Sequence, residues 1–274
     1  MLVTLLAWIY ISLLCFAWGT LLLQSVKIIL KDRFFLFPHF SIICLVGLMA
    51  ITVFAGILSL FMPLGGWQAH VIVICPCLVL FFQKQKPDFF PQLINQFKFL
   101  HPVLLCLLVI SIIMVLVMCT WTINHPDTLA YHAQTIQWIE KYKATPGLVH
   151  LHVRYGYQGL WFVAGAFFSF KFTGTEALTF INSAIIIWFL IFVIQKIDKC
   201  FRSSTEKIQG FLWLLLLAGS LLSYTQVRLT ATSASPDFIA ALHLWMVFYF
   251  FSKKEAAQSP LHWLLIIMLS IFRT

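Results

Sequence analysis

The sequence predicts an all-α, polytopic membrane protein with about seven to nine transmembrane or re-entrant helices. Hydrophobic residues make up 61% of the 274 residues, charged residues only 10%, and the mean hydropathy is +0.95. Soluble domains carry about 25% charged residues. Apolar runs of roughly 20 residues, the length that crosses a hydrocarbon core, also recur along the whole chain. No polar stretch is long enough to form a separate soluble domain.

Seven apolar segments are predicted to be membrane spans: 2–24, 39–62, 68–83, 101–121, 176–195, 210–227 and 236–251. The first has no basic residue before it and no cleavage site, which predicts a retained helix. A shorter apolar stretch covers 157–172. Another, at 261–272, is too short to cross, so we expect a chain truncated at its C-terminus. We divide the chain into an N-terminal three-span region, 1–100, and a second membrane region, 101–274.

Clusters of basic residues indicate which way the chain runs, because such clusters stay on the cytoplasmic side. If 157–172 crossed the membrane, the basic segment 196–207 would lie outside, against this rule. We therefore expect 157–172 to be an interfacial or re-entrant helix, with 122–156 and 228–236 on the outer face. The net charge of +9 is then explained by orientation and does not indicate nucleic-acid binding. The clusters are Lys27, Lys31 and Arg33; Lys84, Lys86 and Lys98; Lys196, Lys199, Arg202 and Lys207; Lys253 and Lys254.

The nine acidic residues are few enough to be considered one by one. Three of them, Asp127, Glu140 and Asp237, fall on the predicted outer side, and both Asp residues lie beside a predicted span. Glu176 opens a helix, where a negative charge is favourable. The other five lie near lysines in the predicted inner loops: Asp32, Asp88, Asp198, Glu206 and Glu255.

Asp127 follows Pro126 and is predicted to begin a helix that ends at Pro146-Gly147. At helical spacing, Tyr131 and Trp138 share its face. A carboxylate beside aromatic rings suits a sugar, which offers both C–H patches and hydroxyls. An N-cap Asp with interfacial aromatic anchors fits equally well, and both interpretations stay open.

The same outer loop carries four histidines and two cations. The histidine spacing matches no strong metal-binding pattern. His132 is a candidate hydrogen-bonding or proton-handling partner of Asp127. Arg154 and Lys143 would suit a phosphate, although contact with lipid headgroups explains them as well. The four histidines are His125, His132, His150 and His152.

Asp237 lies where a predicted span begins, with Ser235 as N-cap and Pro236 as the first helical residue. An ionisable group at a membrane boundary, with Arg228 nearby, also suggests a functional role.

The seven cysteines fall almost wholly in apolar runs, so we expect buried thiols and no disulfide framework. Cys75-Pro76-Cys77 is predicted to be a helix kink rather than a redox or metal motif.

The stretch PDTLAYHAQTIQWIEKYKATPGLVHLHVRYGYQG resembles an uncharacterised bacterial family of multi-span membrane proteins. An outer loop that begins with Asp127, followed by Arg228 and Asp237 at a membrane boundary, resembles more broadly the polytopic glycosyltransferases of the GT-C superfamily. The closer resemblance covers about 120 residues, from Trp121 to Phe250. Many superfamily members have a second acid directly after the first, where this chain has Thr128.

The resemblance implies an enzyme of the bacterial cytoplasmic membrane that transfers a sugar from a polyprenyl-phosphate donor on the outer face. Asp127 would be the catalytic base, and Arg154 or Arg228 would stabilise the departing phosphate. Tyr131 and Trp138 would hold sugar or prenyl. Asp237 would bind a divalent cation, Mg²⁺ or Mn²⁺, or orient the acceptor. Partners would be membrane lipids and the lipid-linked donor; no protein partner is indicated.

Two other functions remain open. A transporter or flippase for a lipid-linked or anionic substrate would need ionisable residues along a mid-membrane path and often has repeated halves. His243 lies within a predicted span, but we find no repeat. A non-catalytic membrane partner in envelope assembly is the third hypothesis.

Overall fold

In the computed structural model, residues 1–31, 38–78, 100–156, 159–174, 178–203, 207–222 and 226–251 are described. Every regular element in these ranges is helical, as predicted. The α-helices are α1 (Leu2–Leu30), α2 (Phe40–Ser59), α3 (Trp67–Ile74), α4 (Pro102–Met118), α5 (Ala133–Lys141), α6 (Leu160–Phe167), α7 (Phe180–Arg202), α8 (Lys207–Leu222) and α9 (Asp237–Phe251). Short 3₁₀ and π-helical turns connect several of them.

Three helices are long and apolar enough to cross a membrane, namely α1, α2 and α7. Their bounds agree with the predicted spans 2–24, 39–62 and 176–195, although α1 and α7 continue several residues further. Among the described residues, the other apolar helices are shorter than a full crossing. A membrane protein is therefore indicated, while the larger number of spans stays a prediction. The stretch 261–272 lies outside the described residues.

Helices α1 and α2 pack so closely that glycine is needed at their crossing. A Cβ atom added to Gly47 would lie 1.6 Å from the carbonyl oxygen of Cys15, and one added to Gly19 would lie 2.0 Å from that of Ile43. Small residues allow such approach of helix backbones in membranes, where van der Waals packing drives association.

Helix α7 is bound to both α1 and α2 by buried hydrogen bonds. The Trp8 indole donates to Ser183 and the Trp188 indole to Ser12, each at 2.8 Å. Ser41 of α2 donates to the Trp188 carbonyl at 2.6 Å. These pairings show that α1 and α7 run parallel, with α2 antiparallel to both. The predicted division at residue 100 stays a prediction, although helices from both sides of it share one core.

The bundle has two chemically different ends. At the first, the carboxylate of Asp198 accepts from the His101 backbone N–H at 3.1 Å and forms an ion pair with Arg202 at 2.8 Å. His39 and Gln195 also meet there. We call this the basic end, because it carries the described cations at the ends of α1 and α7. The opposite end holds Asp127 and Asp237, and we call it the Asp127 end.

Helix α6 enters the bundle from the Asp127 end and does not cross it. Its eight residues span about 12 Å, whereas a hydrocarbon core is about 30 Å thick. The chain then turns through Phe170 and Gly174, which have φ angles of 53° and 76°. It rejoins the Asp127 end where α7 begins, with Phe170 and Phe180 rings 5.8 Å apart. The described helix is therefore short and lies at one end of the bundle, and its re-entrant character stays a prediction.

Helices α2 and α5 cap each other through backbone hydrogen bonds. The N–H groups of Leu64 and Gly65, in the turn after α2, donate to Ile139 and Glu140 at 3.1 Å each. In return, the Ala144 N–H, after α5, donates to the Ser59 carbonyl at 2.6 Å. The last carbonyls of a helix have no partner inside it. This exchange therefore attaches the surface helix α5 to the end of a spanning helix.

Helix α3 passes into a 3₁₀ turn at Cys75–Leu78. Pro76 has no backbone N–H to continue the α-helical pattern, so the α-helix ends here, and the kink itself stays a prediction. All seven cysteines are free thiols.

Candidate functional site

The turn that carries Asp127 is a capped π-helical segment. His125 precedes it, and its Nδ1 accepts from the Thr128 backbone N–H at 3.2 Å. Residues Thr128–His132 form the π-helical turn, and α5 follows. A π turn holds one more residue than an α turn, so later side chains are rotated relative to the predicted helix. π turns of this kind occur frequently at functional sites.

Asp127, Tyr131 and Arg154 form one group on the protein surface. Arg154 donates from Nη1 to the Asp127 carboxylate at 3.0 Å, and its guanidinium carbon lies 5.2 Å from the centre of the Tyr131 ring. The two charged side chains are 45% and 47% exposed. The structure thus brings together three residues predicted from the sequence, two of them 27 positions apart.

His132 lies buried behind this group and is only 3% exposed. Its ring contacts those of Tyr131 and Phe162, with centroids 4.3 and 5.0 Å away. The pKa of His132 is lowered from 6.5 to about 4, mainly by burial and next by the neighbouring His125. Asp127 and Asp237 raise this pKa in opposition, whereas Arg154 lowers it. His132 is therefore neutral at pH 7, and both carboxylates act electrostatically on the same imidazole.

Asp237 is held by the Ser235 hydroxyl. Ser235 donates to the Asp237 carboxylate at 2.8 Å and accepts from the Asp237 N–H at 3.4 Å. Helix α9 begins at Asp237, one residue later than predicted, so Pro236 precedes the helix and is not its first residue. The Ser235 hydroxyl still accepts from the first helical N–H group, that of Asp237.

Asn182 and Trp161, which sequence reasoning missed, fix the segment before Asp237. The Asn182 amide donates to the Ser235 carbonyl at 2.6 Å, and the Trp161 indole to the Ala234 carbonyl at 3.2 Å. Asn182 is fully buried. An Asn within the apolar run of a predicted span was the available signal, because polar groups in such runs need partners.

Arg228 lies against the loop that leads to Asp127. Its guanidinium carbon is 5.1 Å from the centre of the Trp121 ring. The Asn124 amide oxygen accepts from Arg228 Nη2 at 3.2 Å in the orientation that satisfies both groups. Two arginines at the Asp127 end are therefore stacked on aromatic rings.

Trp138 belongs to a different group. Its ring lies 5.1 Å from that of Tyr142. It lines a small pocket of about 50 Å³ with Ser59, Lys143, Thr145, Leu148 and Val163 among the other lining residues. The shared face predicted for Asp127 and Trp138 was derived for an uninterrupted α-helix, and the π turn removes that regularity. The helix also ends at Lys141, before the predicted Pro146-Gly147.

A family model described as "Domain of unknown function (DUF8201)" matches residues 1–274. The chain belongs to the DUF8201 family. No curated protein matches the chain. No solved structure matches it either. The family match covers both the bundle and the Asp127 end of this DUF8201 protein, and the chemistry must be argued from the site.

A divalent cation finds no ready site in the part of this DUF8201 chain that the structure describes. No group of three or more His, Cys, Asp or Glu side chains is arranged there to hold a metal. The Asp127 carboxylate is bound to Arg154, and that of Asp237 to Ser235. What the arrangement offers is a carboxylate base and guanidinium groups that suit phosphate.

Proposed function

We propose that this DUF8201 protein is a glycosyltransferase of the bacterial cytoplasmic membrane that uses a polyprenyl-phosphate sugar as donor. The observation that supports this most is the exposed contact between Asp127 and Arg154 at the end of the membrane bundle. Asp127 would be the base and Arg154 the cation for the donor phosphate, and the two side chains lie 3.0 Å apart, which supports the proposal.

In this proposal the acceptor hydroxyl attacks the anomeric carbon of the donor, and Asp127 takes the hydroxyl proton. The bond between the anomeric carbon and the phosphate oxygen breaks, and polyprenyl phosphate leaves with the electron pair. General-base catalysis typically contributes about 10²–10⁴-fold. Fixed cations that meet the charge on the leaving phosphate contribute further.

Arg154 has a second role before the reaction. While it is paired with Asp127, it occupies the carboxylate that must accept the proton. A donor phosphate competes for the guanidinium, because arginine binds phosphate with the same two-pronged geometry that it offers to carboxylates. Donor binding then frees Asp127 next to the acceptor. The stacked Arg228 is a second cation for the same phosphate, and Tyr131 supplies an apolar face for the sugar.

Asp237 and His132 complete the proposed site as orienting groups. The Ser235 hydroxyl and the α9 N-terminus hold the Asp237 carboxylate, which accepts a hydrogen bond from the acceptor. Neutral His132 packs against Tyr131 and adds no charge to the site. Trp138 has no part in this site, because its contacts are with the separate pocket near Ser59.

The test is transfer by the full chain in lipid nanodiscs, with radiolabelled undecaprenyl-phosphate hexoses as donors and bacterial membrane lipid extract as acceptor. In Asp127→Asn, the rate at which the radiolabelled sugar leaves the donor should be at least about 100-fold lower than in the wild type. Asp198→Asn is the matched control, because Asp198 also forms an ion pair with an arginine but at the basic end. Unchanged turnover in Asp127→Asn would contradict the proposal. Movement of intact donor across vesicles without cleavage would instead identify a flippase.

A further inference from the structure

The segment after the Trp138 pocket exposes a row of apolar side chains. Val149, Leu151 and Val153 are 45%, 68% and 66% exposed. They lie in the loop predicted on the outer face and alternate with the exposed His150 and His152. Their exposure resembles that of Ile110 on the apolar helix α4, which is 63% exposed. Several large apolar side chains exposed in one short loop mark a surface that meets another apolar phase.

This row is held in a fixed position by its neighbours. Two short 3₁₀ turns, Leu148–His150 and Val153–Gly156, form the loop. Leu148 is buried and lines the pocket that also contains Ser59, the last residue of the spanning helix α2. The row therefore begins at the depth where a membrane-spanning helix ends.

Aromatic residues mark the same level. Trp67, Trp121 and Tyr142 are all exposed at the Asp127 end, where α3 begins, α4 is followed by a turn and α5 ends. Trp and Tyr are enriched at membrane–water interfaces, because their rings are amphipathic. These three side chains therefore indicate the headgroup level of a bilayer around this end of the bundle.

Cations flank the apolar row. Lys143 lines the pocket beside Leu148 and is exposed, and Arg154 follows Val153 directly. Apolar side chains beside cations are complementary to a lipid monolayer, which presents acyl chains beneath anionic phosphates. A protein partner would not need this combination at the depth of the helix ends.

We infer that residues 149–153 insert into the membrane interface and form a lipid-binding anchor beside the Asp127–Arg154 pair. The occupant of the row is the bilayer itself. This anchor stands independently of the transfer reaction, and it holds Arg154 at the level of lipid phosphates whether or not a sugar is transferred.

The experiment measures depth with single cysteines carrying a fluorophore, in a cysteine-free background reconstituted into phosphatidylglycerol-containing nanodiscs. Leu151→Cys and Val153→Cys are the test positions. Ile110→Cys on α4 is the lipid-facing reference, and Gln137→Cys, exposed on the surface helix α5, is the aqueous reference. Doxyl-labelled lipids should quench the fluorophores at positions 151 and 153 several-fold more than the fluorophore at position 137. Iodide in the buffer should quench the fluorophores at 151 and 153 several-fold less than the one at 137.

Two results would overturn the inference. Quenching of positions 151 and 153 by iodide, at the level of position 137, would place the row in water. Protection of both positions from iodide and from doxyl lipid would show that protein covers the row, either a second copy or another partner. Each cysteine variant must melt at the temperature of the cysteine-free parent, so that misfolding does not mimic either result.

Discussion

Arg154 illustrates how much of this site depends on single side chains. Its guanidinium contacts a carboxylate through one donor and the Tyr131 ring through its face. Lysine has a compact ammonium without a planar fork, so it would not reproduce both contacts. Exposed ion pairs contribute only about 0–1 kcal/mol to stability. Loss of this pair should therefore have little effect on the free energy of unfolding.

The buried imidazole of His132 makes stability depend on pH. The unfolded chain binds a proton at His132 near pH 6.5, whereas the folded protein does so only near pH 4. Between these pH values the unfolded state holds more protons, so stability falls as the pH falls. The loss attributable to His132 is at most about 3 kcal/mol.

Thermal melting of the wild type and His132→Gln, from pH 7.5 to 4.5, measures this contribution. As the pH falls from 6.5 towards 4, the melting temperature of the wild type should decrease by more degrees than that of the variant. Since Asp127, Asp237, Arg154 and His125 are the same in both proteins, the difference isolates the imidazole. If the melting temperatures of both proteins decrease equally as the pH falls, His132 is not buried as a neutral group.

At the level of elements, the exchange of backbone hydrogen bonds between α2 and α5 depends on a glycine. A Cβ atom added to Gly65 would lie 2.7 Å from the Glu140 carbonyl oxygen, which accepts from the Gly65 N–H. Gly65→Ala should therefore separate the turn from α5 and lower the free energy of unfolding by about 1–3 kcal/mol. Chemical denaturation in mild detergent measures this change.

Gly219→Ala is the matched control for that substitution. Gly219 lies within α8, and an added Cβ atom there meets nothing within 4 Å. Alanine favours a helix over glycine by about 1 kcal/mol, so this variant should be as stable as the wild type or more stable. Equal stability of Gly65→Ala and the wild type would contradict the close approach described for the α2–α5 contact.

The segment after Asp127 shows which element features a sequence reveals. Pro126 and the apolar spacing predicted a helix that begins near Asp127, and one is present. The π turn depends on which hydrogen bonds His125, Thr128 and His132 make, and the sequence pattern does not predict it. The face predicted to be shared by Asp127 and Trp138 therefore does not follow from helical spacing alone and stays a prediction. Tyr131, within the turn, contacts Arg154, the ion-pair partner of Asp127.

At the scale of the whole molecule, the two ends of the bundle should lie on opposite sides of the membrane. Single cysteines at Asn124 and Asp237, both exposed at the Asp127 end, should react with a membrane-impermeant maleimide added to intact cells. A cysteine at Lys199, exposed at the basic end, should react only after the cells are opened. Labelling of position 199 but not of 124 in intact cells would reverse the proposed orientation.

The overall class could be predicted because composition and apolar run length directly reflect the solvent around the chain. Asp127 and Arg154, which form an ion pair, could be singled out from the sequence because unexplained charges in an apolar chain are few. Contacts between residues that are distant in the sequence could not be predicted. The anchoring of Ala234 and Ser235 by Trp161 and Asn182 requires knowing that α6 and α7 meet there, and that follows from packing rather than from local pattern.

The short length of helix α6 has a consequence for how the protein is made. Eight residues are too few to be retained in a bilayer by their own hydrophobicity as they leave the ribosome. The helices on which α6 packs, α2 and α5, both precede it in the chain. Its docking surface is therefore already synthesised when α6 emerges. The order of synthesis thus allows this helix to enter the membrane on the side of its partners, before α7 closes the bundle.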